Sequence, residues 1–198
     1  MGILERKLRQ KEEVRTSILR TAQEIVSNEG WQALSIRKIA EAIEYSVPVI
    51  YDHFQNKEAI LLELTKQGFQ MLNTELQKAR KRSNDPEKQI EAMAYAYWEF
   101  AFDNKAHYQV MYGLGMPSCD TVNQIPELGT FSGLISDPIK ELIARKNSDA
   151  NFFLKLHTFW SMLHGLVSIN MMNNSEGKQE LNQLVIQDFI GGFISGIR

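Results

Sequence analysis

Apolar residues recur at three- and four-residue steps along almost the whole of this 198-residue chain, and no stretch of any length alternates as a strand would. A helical period of that extent leaves one fold class: all-α, with about nine helices. Val14, Ile18, Ala22, Ile25 and Val26 mark a first helix over about 9–28, stopped by Asn28-Glu29-Gly30. Ser35 is a good N-cap for a short second helix, Ile36 to Ala42, whose buried side is Ile36, Ile39, Ala40 and Ile43. After a break at Glu44-Tyr45, Ser46 is placed to cap a third short helix through about Asp52, with Pro48 tolerated in its first turn. Asn56-Lys57-Glu58 opens a long fourth helix to about Arg82. Further helices are expected from Asp85-Pro86 to Phe102, from Asn104 to Tyr112, and over about 127–146, 150–173 and 177–196, with 113–125 loop-like.

A hydrophobic fraction of 43% excludes the disordered classes and is enough for a sizeable core without staples. The single cysteine, Cys119, rules out an intrachain disulfide and reads as packing in a reducing compartment. The N-terminal stretch has no apolar core of a signal peptide, and no run reaches the ~18 apolar residues of a spanning helix, so a cytoplasmic protein without a membrane partner is expected. The net charge of −2 argues against an overall basic coat, but it is unevenly spread. Residues 1–82 hold 14 Lys/Arg against 11 Asp/Glu, whereas residues 83–198 hold 8 against 13. A front of +3 and a rear of −5 hint that the front meets an acidic partner.

Two short helices joined by a tight break behind a supporting helix are the minimum for a helix-turn-helix. An ordinary helical corner has the same outline, so the residue content must decide. Ser35, Arg37, Lys38, Ser46, Tyr51, His53 and Lys57 all donate hydrogen bonds or carry charge towards phosphate, while Ile36, Ile39, Ile50 and Phe54 can seal the unit from inside. The runs Ile18-Leu19-Arg20-Thr21-Ala22, Glu29-Gly30-Trp31, Leu34 to Ala40 and Ser46 to Glu58 closely resemble the N-terminal domain of TetR-family transcriptional regulators over about residues 14–64.

That resemblance implies an N-terminal helix-turn-helix DNA-binding domain over 1–56 and a helical effector-binding and dimerisation domain over 57–198. Helix 46–52 resembles the recognition helix, so Val47, Pro48, Val49 and Tyr51 are expected at the major groove, the apolar three reading thymine methyls. Ser35, Ser46, Tyr51 and His53 resemble phosphate contacts, and Lys57 resembles the family's phosphate lysine, where charge and helix dipole act together. Arg37 is either a base or a phosphate contact. The basic arm Arg6, Lys7, Arg9 and Lys11 either reaches the duplex or stays solvated. Each contact has a plainer alternative: a capping role for His53, a core role for Tyr51, a free surface side chain for Lys57. One departure stands out. The family usually has Ala-Gly-Val-Ser at the turn, and this chain has Ile43-Glu44-Tyr45-Ser46, so Glu44 must take a left-handed turn at about 1 kcal/mol or reshape it.

The rear is rich in aromatics and methionine. Tyr95, Trp98, Tyr108, Met111, Met116, Phe159 and Trp160 are either core or the lining of an apolar effector cavity. Trp160 and His164 share a helical face, so His164 either orients a ligand or is a satisfied structural histidine. Trp160-x-x-x-His164-Gly165 resembles the Trp-x-x-x-His-Gly signature of one TetR subgroup. Leu181, Leu184, Val185, Phe189, Phe193 and Ile197 are read as one stripe, and Gly191, Gly192 and Gly196 suggest a second helix packing close, which the family's four-helix dimer interface would supply.

The leading expectation is a ligand-responsive repressor that binds a palindromic operator on double-stranded DNA as a homodimer and is released by an apolar or amphipathic small molecule. No Gly-rich phosphate loop, paired carboxylates, Ser/His/Asp set or His-Glu-x-x-His is present, so neither an enzyme, a cofactor nor a metal site is expected. The alternative is a small-molecule carrier or haem-binding helical protein with a vestigial reading head; His157 and His164 lie two turns apart but have no third ligand at metal spacing.

Overall fold

The computed structural model describes residues 2–113, 125–172 and 179–198. Among these there are nine α-helices and no strand: α1 (Ile3–Glu29), α2 (Ile36–Ala42), α3 (Val47–Tyr51), α4 (Lys57–Arg80), α5 (Pro86–Asp103), α6 (Lys105–Tyr112), α7 (Pro126–Arg145), α8 (Phe152–Met172) and α9 (Gln179–Ser195), with a single 3-10 turn at Trp31–Ala33. Most boundaries fall within two residues of the periodicity. Cys119, Met116 and most of the expected loop 113–125 lie outside the described residues.

The largest difference is at the start. α1 begins at Ile3, not near residue 9. Residues 3–13 are strong helix formers with no glycine, proline or β-branched residue between Leu4 and Glu13, and Glu5 Oε2 accepts from Gly2 N at 2.9 Å. They carry no buried face, so apolar period, which begins at Val14, could not report them.

The helices gather into two compact units, Met1–Phe69 with Asn104–Ile125 and Gln70–Asp103 with Pro126–Arg198. Compactness therefore cuts inside α4 and places α6 with the front helices, whereas the division by role at 56/57 follows the sequence resemblance.

The front unit is sealed by Ile18, Ala22, Val26, Leu34, Ile39, Ile50, Ile60 and Leu64, with Ala106 and Val110 supplied by α6. α6 comes very close to α4 at Gly68, where a Cβ would collide with Met111 Sδ and stand 3.3 Å from His107 Cβ. His107 is buried, and its Nδ1 lies 3.4 Å from Gln23 Nε2 of α1. Burial holds its imidazole below the ordinary range. The same cause acts first on His164 and on His53, which Lys11 lowers further.

A histidine lowered on folding binds fewer protons folded than unfolded. Its contribution is present above the unfolded value of about 6.5 and is lost as the pH falls below it. Urea unfolding is therefore expected to show a midpoint that drops between pH 7 and pH 5, and His107→Gln is expected to shrink that drop.

In the rear unit, Ile90, Met93, Ala94, Tyr97 and Ala101 of α5 are buried, and α5 packs against α7, α8 and α9. The C-terminal carbonyls of α9 are met by lysines, Lys146 Nζ donating to Ile194 O at 3.0 Å and Lys155 Nζ to Gly196 O at 2.8 Å.

Candidate nucleic-acid interface

The short helices of the front unit are built by local chemistry. Ser35 is in extended conformation and its Oγ accepts from Lys38 N at 3.2 Å, capping α2. Ile39 and Ala40 anchor α2 inward. At the turn Glu44 does adopt positive φ, +58°, and Tyr45 N donates back to Ala40 O at 3.0 Å, closing the helix end. Ser46 stands at the N-cap of α3 with extended backbone but without a side-chain capping bond. Ile50 is fully buried and pins the five-residue helix to the core, and Phe54 closes it. Asn56 Oδ1 then accepts from Ala59 N at 2.8 Å and caps α4.

Because glutamate is strained where glycine is free, Glu44→Gly is expected to raise stability by up to about 1 kcal/mol. A rise of up to about 2–4 °C in the melting temperature would show it.

This construction exposes Ser35, Arg37, Ser46, Pro48 and Tyr51, the last to 52%. Pro48 and Tyr51 are three apart on α3 and share its outer face. Val47 and Val49 are only partly exposed and lean against the front core, so the outer face of α3 is narrower than the expected set of four. Tyr45, 45% exposed in the turn, stands beside them and was not singled out by sequence.

Lys57 occupies the first position of α4, at the positive end of the helix dipole, where a cation is unfavourable unless an anion joins it. Its Nζ lies 3.4 Å from Gln32 O and 5.8 Å from the Trp31 ring centroid. Those contacts hold the ammonium in place. Arg37 Nε donates to Glu41 Oε1 at 2.8 Å, and that carboxylate raises the guanidinium's pKa. Lys38 pairs with Glu29. Arg15 is a structural cation, bonded to Glu63 at 3.2 Å and set 5.0 Å over the Phe54 ring.

A groove of about 470 Å³ runs between the amino-terminal half of α1 and α3, lined by Lys7, Gln10, Lys11, Val14, Tyr45, Val49, Asp52 and His53. His53 Nδ1 is buried there with no hydrogen-bond partner among the described residues. Desolvation first and Lys11 next hold its ring below the ordinary range, with Asp52 acting the other way.

The rear candidates do not gather in one place. Tyr108 and Met111 belong to the front unit, Tyr108 packed 4.8 Å from Tyr112 between ring centroids and Met111 against Gly68. In the rear unit Trp98 lies 4.4 Å from Phe102, and Tyr95 is partly buried. Trp160 meets Phe131 at 6.3 Å, and His164 Nε2 is 3.4 Å from Ser168 Oγ. Phe159 is buried against Phe189 at 5.6 Å and Phe193 at 5.1 Å.

Phe189, Phe193 and Ile197 therefore face inward, while Leu181, Leu184 and Val185 remain exposed with Gly192. At 3.6 residues per turn, Gly192 falls between Leu181 and Val185. Where its Cβ would stand, no atom of the described residues outside its own stretch of helix comes within 4 Å. α8 shows a matching exposed row of Leu154, Met162 and Ile169, on which Gly165 is equally open.

The family described as bacterial regulatory proteins, tetR family, matches residues 18–64, and a tetracyclin repressor-like C-terminal domain matches residues 90–185. The HTH-type transcriptional activator FasR of Mycolicibacterium smegmatis is 22% identical over 161 residues, 81% of this chain and 70% of FasR. The tetracycline repressor protein class C of Escherichia coli is 38% identical over 47 residues, 24% of this chain and 22% of that protein. The FadR regulator of Bacillus subtilis, solved in complex with stearoyl-CoA, has a TM-score of 0.75 at 17% identity, covering 92% of this chain and 99% of FadR. That structural likeness establishes the shared fold.

Proposed function

Because the chain belongs to the tetR family of bacterial regulatory proteins, we propose that it binds a palindromic operator as a homodimer and is released by a small-molecule effector taken up in the rear unit. What supports the reading is the exposure of Ser35, Ser46, Pro48 and Tyr51 around a buried seal of Ile39, Ile50 and Phe54, with Lys57 at the first position of α4.

Tyr51, Ser35 and Ser46 hydrogen-bond phosphates, and Lys57 meets one at the amino end of α4. Pro48, with the exposed edges of Val47 and Val49, touches base edges by apolar contact. His53 donates a ring N–H to the backbone, and Arg37 leaves Glu41 for phosphate or guanine. The dimer forms through the exposed rows of α8 and α9, which would otherwise leave Leu154, Met162, Ile169, Leu181 and Leu184 in water. The effector is held among the rear aromatics, with Trp160 and His164 on one face of α8 in the manner of the Trp-x-x-x-His-Gly subgroup. It favours a spacing of the two heads that no longer fits the operator, a shift bounded by its differential affinity for the two states.

The mode is repression relieved by effector. The FadR structure with stearoyl-CoA supports an amphipathic molecule. A gel shift with DNA from upstream of the chain's own gene, titrated with salt, tests the DNA reading: a specific complex that weakens steeply with salt is expected. A transcription assay on the same DNA then gives the sign, and stimulation by the effector-free protein would overturn repression.

A further inference from the structure

The effector reading leaves the chemical class of the ligand open, and a buried polar spot in the rear unit narrows it. Gln70 and Asn73 lie three apart on α4 and so share a face. Gln70 Nε2 donates to Glu127 Oε1 at 2.8 Å, and Asn73 Nδ2 donates to the Glu127 backbone carbonyl at 2.8 Å. Each bond uses one atom of a two-atom head. The other two, Asn73 Oδ1 and Glu127 Oε2, are buried and accept from no donor among the described residues. Asn73 is only 6% exposed. Its Nδ2 is fixed on the Glu127 backbone, so the two residues that carry the open acceptors belong to one crossing of α4 and the first turn of α7.

Two acceptors without a donor select what can join them. A carboxylate, phosphate or thioester offers only further lone pairs, and Glu127 would repel an anion. A protonated amine brings three N–H donors and a charge that answers Glu127. The surroundings suit it. One turn along α7 from Glu127, Phe131 lies 6.3 Å from Tyr97 of α5 and 6.3 Å from Trp160 of α8, between ring centroids. These rings make the neighbourhood apolar and tolerate a nearby cation.

We propose that Asn73 and Glu127 form an effector subsite for a primary ammonium group borne on an apolar body. The proposal rests on the reading of the rear unit as effector-binding. It sets this chain apart from a regulator built for an anionic acyl ligand.

The test is calorimetric titration of the full chain with decylammonium, decan-1-ol and decanoate, each below its self-association concentration. Decylammonium is expected to bind at least about tenfold tighter than decanoate, the size of one charge-assisted hydrogen bond. Glu127→Gln keeps an oxygen for Gln70 but puts an amide N–H₂ where Oε2 accepts, so the preference should collapse while decanol affinity holds. Because the rear half is acidic overall, Glu91→Gln at an exposed site of α5 serves as the charge-matched control and should leave the preference intact. Equal binding of ammonium and carboxylate, or a preference that survives Glu127→Gln or falls equally in Glu91→Gln, overturns the subsite. If decanol still binds in that case, the effector-unit reading stands without it; if none of the three probes binds, both fail.

Discussion

Replacing Tyr51 and Lys57 together by alanine is expected to weaken operator binding by at least about a hundredfold while leaving the fold intact. A charge-assisted contact to phosphate contributes about 1.5 kcal/mol, and a dimer on a palindrome makes it twice, so the loss from Lys57 alone approaches 3 kcal/mol. Its contacts with Gln32 O and the Trp31 ring matter here, because an ammonium already held in place loses little entropy on binding.

Two further readouts separate this from a general defect. The slope of log affinity against log salt should shrink by about 1.8 for Lys57→Ala, since two phosphate contacts disappear per dimer, and the loss should be uniform across operator sequences. Stability should stay close to the parent's, because relief of a cation at the positive end of α4 offsets the loss of its contacts with Gln32 O and the Trp31 ring. Tyr51→Ala should also leave the melting temperature nearly unchanged, since the ring is 52% exposed. Unaltered affinity in the double variant would remove the assignment of this face to DNA.

The front unit was readable because its determinants are local. A serine cap, a five-residue helix with one buried isoleucine and an asparagine cap each lie within a few residues of the backbone they control. Even the strained turn could be anticipated, since a glutamate in the place of a glycine must either adopt positive φ or move the chain, and Glu44 adopts it. Three features lay beyond that reach. Residues 3–13 are helical by propensity alone and bury nothing. α6 joins the front unit through Gly68, Met111 and the Gln23–His107 contact, all of which are tertiary. Asn73 and Glu127 meet across 54 residues of sequence, a separation that no spacing rule addresses.

The last helix shows why the sequence stripe had to divide. α9 is apolar on two sides, so a single periodic row could be drawn from Leu181 to Ile197. The structure turns Phe189, Phe193 and Ile197 to the core and leaves Leu181, Leu184 and Val185 outside.

Leu181→Glu with Leu184→Glu is therefore expected to yield a folded monomer, and with it a loss of operator affinity of about a thousandfold. The magnitude follows from linkage. Two heads joined in a dimer meet the second half-site at an effective concentration near the millimolar range, and separated heads forfeit that advantage, typically 10²–10⁴-fold. Light scattering should give one chain per particle, and the helical circular dichroism should match the parent, because at 55% and 61% exposure neither leucine supports the core of its own chain.

Gly192→Leu makes the finer distinction. Among the described residues nothing outside its own stretch of helix lies within 4 Å of the added Cβ, and Gly192 is exposed, so within one chain the change gains helix propensity worth about 1 kcal/mol. Across a close helix pair the same side chain has no room. Stabilisation of the isolated chain together with dissociation of the dimer is the outcome that only a glycine kept for a partner's approach produces. A dimer that tolerates leucine there would move the interface off this face of α9.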